Sequence, residues 1–173
     1  MKKFFKSLVA VMLVAMMAIS FTSCGGVNKD PVKAAENLEA NGYTVISLHD
    51  DGSLIGGTAS QAAIVAAVAI FDVKAENVDY VVTGSKDDES IAIYYCKDAD
   101  TATKIHDFVK KAQDDAKAEI EKMKEEAKSL EGDEKAQAEE AIKKAEEELK
   151  DVSFGKSGKI VWLGTKAGAK ATK

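Results

Sequence analysis

Two histidines, two cysteines and a few closely spaced carboxylates are the side chains here whose types and spacing could do chemistry. His49 stands beside Asp50 and Asp51, a combination able to hold a divalent cation. A metal centre needs three or four converging donors, and the chain has no HExxH, no CxxC and no second histidine nearby. His49 is therefore expected in a water-exposed turn at a strand end, and His106, beside Asp107, on a helix surface. No GxSxG or SxxK places a nucleophile. Glu125-Glu126 and Glu139-Glu140 lie in a Lys/Glu-rich stretch, where a charge run is a solvated helix face rather than an acid–base pair. Asp98-x-Asp100 lacks the later glycine and terminal glutamate of a calcium loop. Gly56-Gly57-Thr58 lacks the Lys-Ser/Thr of a phosphate-binding loop and reads as an entry turn. No catalytic, cofactor-binding or metal-binding residue is assigned, and the chain is expected not to be an enzyme.

The other cysteine-bearing pattern lies at the start. Lys2, Lys3 and Lys6 precede an uninterrupted run of 12 apolar residues, Leu8 to Ile19. A spanning helix needs about 20 apolar residues, so this run suits a cleaved export signal. Thr22-Ser23 then leads into Cys24 and Gly25-Gly26. These residues resemble the signal of bacterial lipoproteins, with Phe21 departing from the usual aliphatic residue. The resemblance implies cleavage before Cys24, diacylation of its thiol (a palmitate-type anchor) and an extracytoplasmic position on the cell membrane. Residues 1–23 are then the signal peptide and residues 24–29 a lipidated tether reaching about 20 Å at most. With Cys24 lipidated, Cys96 is the only thiol left, and no internal disulfide can form. Cys96 closes an apolar run with Lys97 and Asp98 after it, and is expected to be a small buried hydrophobe.

Charge narrows the partners. Loss of Lys2, Lys3 and Lys6 with the leader takes the net charge from −5 to −8. An acidic body with scattered lysines excludes nucleic acid, which calls for a concentrated basic face, and argues against tight electrostatic docking on anionic lipid.

The elements that must position these residues can be read from caps and periodicity. Asp30-Pro31 starts a helix with Val32, Ala35 and Leu38 on its buried stripe, and Asn41-Gly42 stops it. Tyr43 to Leu48 is a strand. Ala59 to Phe71, wholly apolar from Ala62, is expected to be a buried helix. Val78 to Thr83 and Ile91 to Cys96 form a hairpin through residues 84–88. Asp98 or Asp100 caps a long helix with Ile105, Phe108, Val109 and Ala112 on one face. Its stripe continues through Ala116, Ile120, Met123, Ala127 and Leu130 at coiled-coil spacing. Gly132-Asp133 turns the chain back, and Ala138, Ile142, Ala145, Leu149 and Val152 line the return arm, flanked by Glu139–Lys143, Glu140–Lys144 and Glu146–Lys150 pairs. Lys159 to Leu163 is the last strand, before a basic, Ala-rich tail from Gly164.

After the first helix this order is βαββαβ. The expectation is an α+β domain over residues 30–173, a ferredoxin-like antiparallel sheet with an extra N-terminal helix. Its second helix would be extended into a long αα-hairpin at about 100–152. Phe108, Val109, Ile93, Tyr95, Ile160 and Trp162 are its core candidates. Ile93 to Ala99 and Val161 to Thr165 also resemble segments of small uncharacterised lipoproteins of Gram-positive gut bacteria, a likeness of structure that carries no active residue across. Two functions follow from different features. One is a membrane-anchored, non-catalytic interaction or scaffold module with a protein partner on the hairpin. The other is a small-molecule-binding or accessory enzyme domain, with a pocket between the 59–71 helix and the sheet.

Overall fold

The computed structural model describes residues 26–49, 54–55 and 61–173. Helix α1 spans Pro31–Ala40, followed by β1 Thr44–His49, β2 Leu54–Ile55 and α2 Gln61–Ala69. A 3-10 turn, Ala75–Asn77, leads into β3 Val78–Lys86 and β4 Glu89–Cys96. Two long helices, α3 Ala99–Ala127 and α4 Gly132–Asp151, precede β5 Val152–Ser157, β6 Ile160–Thr165 and α5 Lys166–Ala171. The chain divides into two compact units, with a boundary inside α3 between Phe108 and Val109 and a second after Val152.

The sheet unit holds one six-stranded sheet in the order β2-β1-β3-β4-β6-β5. The mixed helix-and-sheet class matches expectation, but the ferredoxin-like topology does not. A split βαβ places another strand between the two that its helix joins, whereas β1 pairs directly and antiparallel with β3. Edge occupancy explains the difference. β2 folds back onto β1, setting Ser47 opposite Ile55 and Leu48 opposite Leu54, so β1 has one open edge, which β3 fills. No edge of β1 remains for the last strand, and β6 takes the free edge of β4 instead.

The strands are apolar on both sides, so both faces need cover. On one face Ile91, Ile93 and Tyr95 of β4 cluster with Val82, Trp162, and Ala34, Ala35 and Leu38 of α1. The faces of β4 and β6 coincide because Ile93 stands opposite Trp162 and Tyr95 opposite Ile160. On the other face Tyr94 meets Phe71 edge-on at 5.3 Å, and Phe71 meets Phe108 at 5.4 Å. Phe108 remains 40 % exposed, so it borders this core rather than filling it, and Ile160 is only partly buried.

Local chemistry sets the element ends. Asp30 Oδ1 accepts from the amides of Val32 and Lys33 at 3.0 and 3.3 Å, satisfying donors that α1 itself cannot. Gly42, at φ +83°, ends it. The buried stripe is Ala34, Ala35 and Leu38, while Val32 is 37 % exposed, so α1 is rolled from the expected orientation. The β3–β4 turn is two residues, Asp87-Asp88, with Asp87 at φ 50°. It is tighter than the expected loop because Gly84 belongs to the strand: a Cβ there would stand 3.1 Å from Leu38. Leu38 is fully enclosed, and Leu38→Ala is expected to cost about 3 kcal/mol, read as a lower urea midpoint in Trp162 fluorescence.

Three elements were not expected: β2, β5 and α5. β5 and β6 join through Gly158, at φ +60°. Gly155 of β5 lies under the Trp162 ring, where a Cβ would come within 2.4 Å of a ring carbon. The Ala-rich tail is helical because Thr165 Oγ1 accepts from Gly168 N at 3.1 Å, an N-cap.

The hairpin unit, described over Val109–Val152, has its own core. Ala116, Ile120, Met123 and Ala127 of α3 meet Ala138, Ile142, Ala145 and Leu149 of α4, with Leu130 against them. Gly132, at φ +58°, begins the return arm.

Candidate functional site

Cys24, Asp50, Asp51 and the Gly56-Gly57 pair lie outside the described residues. His49 ends β1 half-buried, its ring 4.1 Å from that of Tyr80. His106 is less exposed than expected: its ring lies 5.3 Å from Phe154, with Nδ1 3.1 Å from Asp107 Oδ1. Among the described residues, no three His, Cys, Asp or Glu side chains come together as a metal would require.

Cys96 is buried, and burial followed by the Asp98 and Asp79 carboxylates pushes its thiol up to about 12. A thiol held protonated at neutral pH is a poor nucleophile, so Cys96 is packing material. Asp98 caps α3: Oδ1 accepts from Thr101 N at 2.7 Å and Oδ2 from Thr101 Oγ1 at 3.0 Å. Those two bonds hold its carboxyl below the usual range and account for the Asp98-x-Asp100 pattern.

One polar cluster has no counterpart in the sequence reading. Tyr43 OH donates to Glu89 Oε2, and burial and then Glu89 push the phenol up to about 12. Lys86 Nζ donates to Asn41 O at 3.1 Å and lies 5.8 Å from the Tyr43 ring centroid. A phenol kept protonated beside a carboxylate is a clamp from the α1–β1 turn to the start of β4. Its partners are 46 positions apart, beyond the reach of any local motif. Buried side-chain atoms lacking a partner among the described residues are Ser47 Oγ, both amide atoms of Gln113, and Trp162 Nε1, spread over three elements.

The pocket expected between the 59–71 helix and the sheet takes a different form. A groove of about 500 Å³ is lined by Val65, Val68, Ala69, Val73, Lys74, Ala75 and Glu76, with no strand residue among them. α2 is not the buried helix its composition suggests, since Val65 and Ile70 are 51 % and 53 % exposed.

The hairpin surface is ionic. Lys124 bridges the arms, at 2.7 Å from Glu121 and 2.9 Å from Glu146, and both bonds hold its ammonium above the usual range. Lys128 pairs with Glu125 at 2.6 Å. On α4 the pairs at four-residue spacing are Lys143–Glu147 and Lys144–Glu148, each 3.9 Å, not the three expected. Exposed pairs of this length contribute little. A groove of about 320 Å³ on this unit is edged by Lys124, Lys128, Lys135 and Lys143 with Glu139 and Glu146. No described helix is long and apolar enough to cross a membrane. No protein-family model matches the chain, and no curated protein or solved structure matches it either.

Proposed function

We propose that the chain is an exported module held on the outer face of the cell membrane by lipid on Cys24, acting by contact rather than catalysis. The helical hairpin is its binding arm. The observation that carries this reading is the hairpin's self-sufficiency, because its apolar seam is used up between its own two arms. What it presents outward is charge: residues 109–152 contain ten lysines against fifteen Asp and Glu. An acidic two-helix surface suits a partner, protein or cell-wall component, that carries positive charge.

Deleting residues 114–148 and closing the gap with a short Gly-Ser loop tests it. The sheet unit should keep its cooperative urea transition in Trp162 fluorescence, since the residues removed pack on one another. Capture from native membranes should then lose the partners retained by the full-length chain. Loss of the transition would make the hairpin part of the sheet core, and unchanged capture would remove the arm from the function.

A further inference from the structure

We propose that the layer formed by residues 26–30, α1 and α5 faces the membrane, and that its lysines dock on the headgroups of an anionic bilayer. The proposal rests on the reading of Cys24 as the lipidated residue. It begins with the tether, which is much shorter than the sequence suggests. From Gly26 onward the chain is part of the fold: a Cβ on Gly26 would stand 3.5 Å from the Trp162 ring, and Val27 is buried in the core. Asn28 is held on both sides, its N–H donating to Thr172 Oγ1 at 3.4 Å and its carbonyl accepting from Tyr95 OH at 2.8 Å. Only Gly25 separates Cys24 from Gly26, two residue steps that span about 7 Å at most. Lipid on Cys24 therefore brings this edge of the sheet unit to the bilayer.

Charge gathers on the same edge. Gly155 to Lys173 contains five lysines and no Asp or Glu, within a chain of net negative charge. Lys156 and Lys159 are turned elsewhere, donating to Thr103 Oγ1 and Lys97 O, each at 2.6 Å. Lys166, Lys170 and Lys173 are exposed and form no ion pair among the described residues. Thr172, between Lys170 and Lys173, is the residue that Asn28 N and Asn37 Nδ2 both bind. Lys170, Lys173 and Lys29 thus collect where the chain arrives from Cys24. With Lys33 and Lys166, five lysines face three acids on this layer, Asp30, Glu36 and Glu39. The Asp30 carboxylate is occupied in capping α1. An anionic surface within a Debye length attracts such a set, and neutral headgroups do not.

The test uses the full lipidated chain, purified from membranes and reconstituted into phosphatidylcholine vesicles with or without phosphatidylglycerol. Amine acetylation read by mass spectrometry reports each lysine. Each lysine near an anionic surface favours contact about fivefold, so Lys29, Lys170 and Lys173 should acetylate roughly threefold or more slowly on anionic vesicles. High salt should abolish the difference. Lys104 of α3, near Phe108, and Lys74, between α2 and the 3-10 turn, should not change, and Lys170→Gln/Lys173→Gln should restore labelling at Lys29. Equal labelling on both vesicles, with acyl chains confirmed on Cys24, overturns the docking and leaves the anchor standing. Equal protection of Lys74 and Lys104 also overturns it. Absence of acyl chains on Cys24 overturns both readings.

Discussion

Gly164→Ala should destabilise the sheet unit by about 3 kcal/mol, at the top of the usual range for adding a methyl group to a packed site. The added Cβ would sit 2.2 Å from Ser90 O and 2.5 Å from Ile91 Cα, both backbone atoms of the paired strand. A crowded side chain can rotate aside, but β4 cannot move there without losing its pairing to β6, which opposes Ile91 to Gly164. Gly168 repeats the constraint from α5, with a Cβ 2.7 Å from the same oxygen. Both β6 and α5 thus rest on Ser90 O of β4. Gly158→Ala is the matched control: its Cβ would meet nothing within 4 Å, and only the positive φ opposes it, at about 1 kcal/mol. Trp162, the chain's one tryptophan, lies in the core of this unit and reports both variants by fluorescence in urea. Equal midpoints for the two alanines would show that β4 and β6 can part enough to admit a Cβ at Gly164.

That contrast also explains how much could be read in advance. Cap chemistry is local, so Asp30-Pro31 and Asn41-Gly42 announced their helix ends correctly, and of the two α3 cap candidates Asp98 is the one that caps. The hairpin seam was legible because its two stripes need only each other. Close-packed glycines were harder to read. Gly84 reads as a turn but is a strand residue kept small for Leu38, and Gly155 lies in the unread strand β5, kept small for Trp162. Both are close approaches between residues distant in sequence, which no single window displays. Strand order failed for a related reason, since it depended on the two-residue β2 taking an edge of β1. The two-sided burial of β4, with Ile93 and Tyr95 on one face and Tyr94 and Cys96 on the other, was a readable sign that helices cover both faces. Of the chemical candidates, Cys96 met its expectation as a buried thiol, while the Tyr43–Glu89 clamp had no local signature.

Cys24→Ser is expected to remove the protein from membranes altogether, or to leave it unprocessed with its leader attached. Two acyl chains bury enough methylenes to contribute on the order of 20 kcal/mol of membrane affinity. Three lysines at an anionic surface contribute only about 3 kcal/mol, screened further by salt. On the proposed reading, the lipid would decide whether the protein is bound, and the basic layer only which way it faces. The fold should not register the loss, because Val27 in the core and Asn28 bonded to Thr172 and Tyr95 hold the start of the sheet unit without any contribution from the thiol. A processed, lipid-free chain should unfold within about 0.5 kcal/mol of the parent. The experiment is metabolic labelling with a fatty-acid analogue, followed by membrane fractionation and intact mass. The parent should carry label and sediment with membranes, while the serine variant should carry none and appear in the soluble fraction or retain the mass of residues 1–23. Undiminished labelling of the variant would end the lipid-anchor proposal and the membrane-facing assignment with it. Loss of label with continued sedimentation of a fully processed chain would transfer the membrane attachment to the protein surface, where the exposed Val65 of α2 and Ile70 just after it are the first residues to replace.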